Sequence, residues 1–329
     1  MDTVPRAPLP CAHRIDVPAT ARDTSADPSA AHQGPDGLGA PHPLEEVFRS
    51  GGRAGAGPSQ GGRVTAGSLA QTSSYLGPES LLWRYAGDRR YGLVMPRAAA
   101  LQMLHPAIAA AAEQHSRFPG SLWAQQARAV PQAIGVVYQD AASGARVRRL
   151  HEEIKGRDGK GRRYHSLTPD VFFWEHATFV DALMTAIDLF DRPLSREERE
   201  RLYQESCIWY RRYGVSDRVV PSDYGSFADY FDAVCKQVLE SNSVFDVYFE
   251  QILRPDAWLP RLLPTGLAPV LLPQPVRHLA GLTVSSADER GFRRFARTVR
   301  LSWPVLPSSL RYFPVARQAF NRKGPPHAR

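Results

Sequence analysis

Ten histidines are the residues of this chain best suited to acid–base or ligand chemistry near neutral pH. Three of them fall on the apolar stripes of predicted helices. His151 has Val147 at i−4, Ile154 at i+3 and Leu150 beside it. His176 has Phe172 and Phe173 behind it and Phe179 and Val180 ahead. His105 shares its face with Leu101 and Ile108. A lone histidine on an apolar face is more often a packed core residue than a ligand. Three in one helical core raise the case that at least one binds something.

Several ligand chemistries fail on spacing. A di-iron carboxylate bundle needs Glu-x-x-His pairs, and no glutamate here has a histidine three residues on. The segment His151-Glu152-Glu153-Ile154-Lys155 lacks the second histidine of a zincin. There is no Gly-x-Ser-x-Gly elbow, P-loop or Rossmann fingerprint. A haem iron asks less: one buried axial imidazole on a rigid helix with an apolar wall. His151 meets that demand. Arg146, Arg148 and Arg149 precede it, and Lys155, Arg157, Lys160, Arg162 and Arg163 follow. Such a run is usually a solvated face. Alternatively, one or two of its arginines pair with anionic groups such as haem propionates, with Arg148, at i−3, nearest the His151 face.

These residues must be positioned by helices, because strand alternation is almost absent. The pattern predicts a helix from Pro96 to His115 bent at Pro106, and another from Ser121 to Tyr138 interrupted at Pro131. A third runs from Ala141 to Ile154, before a hydrophilic loop, GRDGKGRRYHS. Thr168-Pro169-Asp170 opens a strong helix to about Phe190. Ser195 and Glu198 form a capping box for the next, which stops at Gly214. Ser226 and Ser243 start two more. Residues 255–275 are Pro-rich and apolar and read as an extended cover. Asp288–Trp303 is a basic helix, and Leu306–Phe320 a last short one. The class is all-α, a multi-helix globular domain of eight to ten helices.

Composition bounds the rest. The chain has 329 residues, 43% hydrophobic and 22% charged, enough for a sizeable core. Its formal net charge of +8 suits anionic surfaces or acidic ligands, and no nucleic-acid partner is expected. Cys11, Cys207 and Cys235 are too few and too scattered for a disulfide framework or zinc site. Residues 1–74 are rich in Pro, Gly, Ala and Ser and read as a disordered leader, or alternatively as the product of an overextended start codon, before a single domain over 75–329. The start, MDTVPRAPLPCAHR, has no apolar h-region, and no stretch of about 18 apolar residues exists. A cytoplasmic setting is the expectation.

Three stretches together resemble a known family. They are SLLWRYAGDRRYGLVMPRAAALQMLHPAIAAAAEQHSRF, VRRLHEEIKGRDGKGRRYHSLTPDVFFWEHATFVDALM and the PLSREERERLYQE turn and helix at 193–205. The tail, LLPQPVRHLAGLTVSSADERGFRRFARTV then LPSSLRYFPVARQAFNR, fits as well. With these the chain resembles the MpaB-type oxygenases, which share a catalytic domain with rubber oxygenase (latex-clearing protein), over about residues 80–322. The resemblance implies a globin-like helical core, haem b, and an oxygenase using dioxygen on a hydrophobic small molecule. Characterised relatives cleave isoprenoid double bonds to carbonyl products. The family's Arg-x-x-His helix maps onto Arg148 and His151, making His151 the iron ligand. Tyr164 and the Trp174-Glu175-His176 segment match family positions, and Tyr164 and His176 are carried as cofactor-binding candidates, with packing of the helix pair as the alternative. The family's Arg-x-x-x-Thr element is missing, with Trp123 and Ala127 near those places and Arg128 one position on. The distal, catalytic candidates are His105, Glu113, His115 and Arg128. Phe172, Phe173, Phe179 and Trp123 suit either a hydrophobic channel or plain core.

Two other classes stay open. One is a haem protein that is not an oxygenase: a sensor, a carrier or a peroxidase-like scaffold. The other is a haem-free helical module docking on an anionic membrane through the basic, amphipathic segment 290–300.

Overall fold

A long helix that buries most of its surface must sit at the centre of a fold. Pro169–Phe190 is that helix, with 14 of its 22 residues buried, from Val171 to Phe190. The computed structural model describes residues 75–115 and 121–326; the expected leader over 1–74 lies outside the described residues. Within them are fifteen α-helices and one two-stranded sheet.

In chain order the helices before the sheet are α1 (Leu81–Tyr85), α2 (Arg90–Leu93), α3 (Met95–Met103), α4 (Pro106–His115), α5 (Leu122–Tyr138) and α6 (Ala141–His151). Strands β1 (Lys155–Arg157) and β2 (Arg163–His165) form an antiparallel hairpin in which Gly156 pairs with Tyr164. Then come α7 (Pro169–Phe190), α8 (Arg196–Arg211), α9 (Tyr224–Gln237) and α10 (Ser243–Leu253). Last are α11 (Ala268–Leu271), α12 (Gln274–Leu279), α13 (Ser286–Ser302), α14 (Ser308–Arg311) and α15 (Pro314–Lys323). Helices α2, α3, α8 and α13 pack on α7, so the core forms around it. Among the described residues no helix is long and apolar enough to cross a membrane.

The all-α reading holds, with local differences that have physical causes. The expected bend at Pro106 is a break: α3 stops at Met103, and Pro106 opens α4, where its missing N–H is harmless. Pro131, expected to interrupt α5, is absorbed in a helix that stays continuous. Asp223 and Asn242, not Ser226 and Ser243, cap α9 and α10, because their side chains accept the main-chain N–H three residues on. Thr168 precedes α7 without a side-chain cap, but the Ser195–Glu198 capping box of α8 forms in full. The Pro-rich cover is wound into short turns at Leu259–Leu262, Ala268–Leu271 and Gln274–Leu279. The hydrophilic loop closes into the hairpin because α4 supports it: Gln114 Nε2 donates to Arg157 O at 2.6 Å and Tyr164 OH donates to Gln114 Oε1 at 2.8 Å.

Candidate active site

The site begins with a tight joint. Helices α5 and α6 are separated only by Gln139 and Asp140, and the Asp140 carboxylate caps α6 by accepting from Ser143 N. Arg212, at the end of α8, donates from Nη1 to the carbonyls of Val136 and Val137 at 2.7 and 2.9 Å. That satisfies carbonyls the end of α5 leaves without helical partners. Gly144 lets α6 pass against the same place, since a Cβ there would lie 1.9 Å from Arg212 O. The joint sets the depth at which α6 delivers His151 in its last turn.

His151 Nδ1 lies 2.9 Å from Val147 O. A carbonyl only accepts, so Nδ1 carries the proton and, in the neutral ring, Nε2 keeps its lone pair. Nε2 stands 3.7 Å from Glu175 Oε2, too far for a hydrogen bond. The ring meets the edge of Phe172 at 5.4 Å. Glu175 comes from α7, where Phe172, Glu175 and Phe179 are spaced three and four apart and share one face.

That face and His151 border two adjoining cavities of about 260 and 420 Å³. Gln102, Gln125, Gln126, His151, Ile154 and Glu175 line both. The smaller is walled by Val147, Phe172 and Phe179, with His176 and Tyr213 at its back. The larger is lined in addition by Met103, Ile108 and Tyr248. Gln102 is buried and donates to Thr178 Oγ1 at 2.8 Å, and Thr178 donates to Glu175 O at 2.7 Å, which steadies the turn carrying Glu175.

His176 is packed among Trp209, Tyr210 and Tyr213, with ring centroids 4.7, 5.2 and 6.0 Å away. Burial pushes its pKa down to about 3, and the Ser206 main chain offsets only part of this. It is therefore a neutral imidazole at the back of the smaller cavity.

The other expected site residues divide. His115 and Arg128 line the larger cavity, with His115 Nε2 at 3.2 Å from Lys155 O. Glu113 is exposed and borders neither cavity. His105 is buried and stacks on Trp174 at 6.4 Å, also away from both. Arg148 turns to Gly214 O at 3.3 Å, and Tyr164 holds the hairpin to α4. Trp123 is fully buried and donates to Gln251 O at 2.6 Å, so α5 faces the cavities with Gln125, Gln126 and Ala129 instead. Of the channel aromatics, Phe172 and Phe179 line the smaller cavity, whereas Phe173 and Trp123 belong to the core. Glu175 and the glutamines had no role assigned from the sequence. The signal for Glu175 was its place in the Trp174-Glu175-His176 segment that matches family positions. Among the described residues, no three or more His, Cys, Asp or Glu side chains converge as a metal cage.

Residues 83–301 match the family described as ER-bound oxygenase mpaB/B'/rubber oxygenase, catalytic domain. No curated protein and no solved structure gives a significant match. With two thirds of its length inside that match, and a helical core that gathers an anchored histidine and a carboxylate at one cavity, the chain belongs to the mpaB/rubber oxygenase catalytic-domain family of oxygenases.

Proposed function

We propose that this oxygenase binds haem b through His151 and acts with dioxygen on a hydrophobic substrate of the isoprenoid class. The observation that carries the reading is the His151 ring, with Nδ1 anchored on Val147 O and the Nε2 lone pair left for a ligand at the cavity. The residues present fit the group. An axial histidine is typically oriented by a hydrogen bond from its other nitrogen, as here. The two adjoining cavities together are within the usual range for a bound cofactor or ligand. Val147, Ile154, Phe172 and Phe179 supply the apolar wall, and Arg128 supplies a cation for an anionic substituent. When bound, the haem supplies dioxygen activation.

The chain's own groups do the rest. Phe172, Phe179 and Ile154 hold an apolar chain and keep water out. Gln125 and Gln126 offer neutral hydrogen bonds that orient a polar end without attracting charge. Glu175 is the carboxylate that faces both cavities, and it makes no hydrogen bond through its side chain among the described residues. It is placed to accept an allylic proton, whereas Glu113, the carboxylate among the distal candidates read from the sequence, borders neither cavity. His115 on the larger cavity is the second acceptor.

The test is an absorption spectrum of the purified protein before and after dithionite, with a pyridine haemochrome assay. About one b-type haem per chain is expected, with loss of haem but unchanged helicity in His151→Ala. A protein that stays colourless after haem reconstitution overturns the reading. Dioxygen consumption with a prenylated substrate then separates an oxygenase from a haem carrier.

A further inference from the structure

Helix α13 (Ser286–Ser302) has a buried side and a free side of opposite character. Phe292 and Ala296 are buried, and Phe295 and Val299 pack against the core beside them. The free side carries Arg290, Arg293, Arg294 and Arg297, all exposed. Arg290, Arg294, Arg297 and Leu301 follow the three- and four-residue spacing of one helix face, and the following 3₁₀ turn, Trp303–Val305, carries the stripe on to Val305. The stripe changes chemistry along its length, from guanidinium to apolar. Leu301 is 67% exposed, Val305 82% and Leu310 51%. Of seven exposed large apolar side chains among the described residues, three fall within these ten positions.

The tip is held rigid. Trp303 is turned inward, its Nε1 donating to Asp88 Oδ2 at 3.3 Å and its ring lying 5.6 Å from the Arg90 guanidinium. Arg300 Nη2 donates to Asp188 O and Leu189 O at 3.1 and 2.8 Å, fastening α13 to the end of α7. Exposure of Leu301 and Val305 is therefore built into the fold. The charge around them is one-sided. From Ser286 to Lys323 there are eight arginines and one lysine against Asp288 and Glu289, and no acidic residue follows Glu289. This segment holds most of the chain's net charge of +8.

We infer that the α13 face and its Leu301–Val305 tip dock the protein on an anionic lipid bilayer. Apolar side chains at the tip enter the boundary of the acyl chains, while the arginines behind them meet lipid phosphates, the arrangement of an interfacial helix. A protein partner on so basic a face would have to be acidic around an apolar pocket, whereas an anionic bilayer offers both features together. The inference is independent of the haem reading, because the face is at the far end of α7 from His151.

Full-length protein is floated with phosphatidylcholine vesicles, with or without phosphatidylserine. Binding is expected only to the anionic vesicles and should weaken as salt is raised. Arg293→Gln/Arg294→Gln/Arg297→Gln should lower partitioning about a hundredfold, from the roughly equal contribution of each surface arginine. Leu301→Ser/Val305→Ser should lower it at least about tenfold without changing Tm. Equal binding to neutral vesicles, or wild-type binding by either variant, overturns the inference. So does a Tm loss in the serine variant, or its conversion of a dimer to monomers, since either result means that protein covers the tip.

Discussion

The two halves of α7 border cavities that treat polar groups in opposite ways. Near its C-terminal half, a chamber of about 210 Å³ is lined by Arg97, Asp181, Asp188, Arg199 and Asp232. Every one of those charges is matched. Arg97 Nε and Nη2 donate to Asp181 at 2.5 and 3.0 Å, Arg199 donates to Asp188 at 2.5 Å, and Lys236 donates to Asp232 at 2.6 Å. Near the N-terminal half, the chamber of about 260 Å³ leaves His151 Nε2 and Glu175 Oε2 at 3.7 Å, beyond hydrogen-bond reach and an ion pair only when the imidazole is protonated. Similar volumes thus serve different ends. Matched charges join α7 to its neighbours, whereas groups left unmatched at a cavity are available to a ligand.

The sharpest way to break this contrast is to unmatch the first chamber. Asp181→Ala leaves the Arg97 guanidinium without its carboxylate at a site where each side chain is only 17% exposed. A loss of about 3–5 kcal/mol in urea unfolding is expected, and the double variant Arg97→Met/Asp181→Leu should recover most of it. If Asp181→Ala costs under about 1 kcal/mol, the pair is not holding the helices together.

The next effect belongs to the buried imidazole of the other chamber. The folded-state pKa of His176 is lowered to about 3, below its ordinary value of 6.5. Between those limits the unfolded chain binds the proton and the folded one does not. Stability is therefore full above pH 6.5 and falls as pH drops toward 3. From pH 6.5 to 4.5 this single group should remove about 2–3 kcal/mol. His176→Phe should lose that share of the pH slope, read from urea curves at the two pH values, while the carboxylates common to both proteins cancel. Parallel slopes would show that His176 is hydrated and not sealed by Trp209 and Tyr210.

The smallest effect is the most telling. Glu175→Gln removes a charge that makes no hydrogen bond, so stability should change by less than about 0.5 kcal/mol. Turnover, in contrast, should drop if the carboxylate accepts a proton. A stability loss comparable to that of Asp181→Ala would place Glu175 among the joining charges and erase the difference between the chambers.

Much of the fold was legible because it is local. The Ser195–Glu198 box and the long apolar run after Pro169 specify α8 and α7 from neighbours a few residues apart. The hairpin at 155–165 was not, because its sequence has no apolar alternation and its support comes from Gln114 on α4. The site divides along the same line. His151 and His176 sit on apolar stripes, and both reach the smaller cavity. Arg148 shares the helix of His151, yet the Gly214 carbonyl takes it to another side. Glu113 lies on α4 near the cavity wall in sequence, but its own turn of helix faces outward.

The sequence by itself determined where the long helices run, which face of each is apolar, and where the basic stripe of α13 lies, but not the short turns within the Pro-rich 255–275 segment. What it determined depends on the 3.6-residue period and on caps that act within one turn. Only the tertiary structure decided that Glu175, and not Glu113, meets His151, and that Gly144 and Arg212 set the depth of α6. A helix's period fixes the direction of a side chain relative to its own axis. What stands opposite depends on how two axes, distant in sequence, pack together, and that is settled by the whole core.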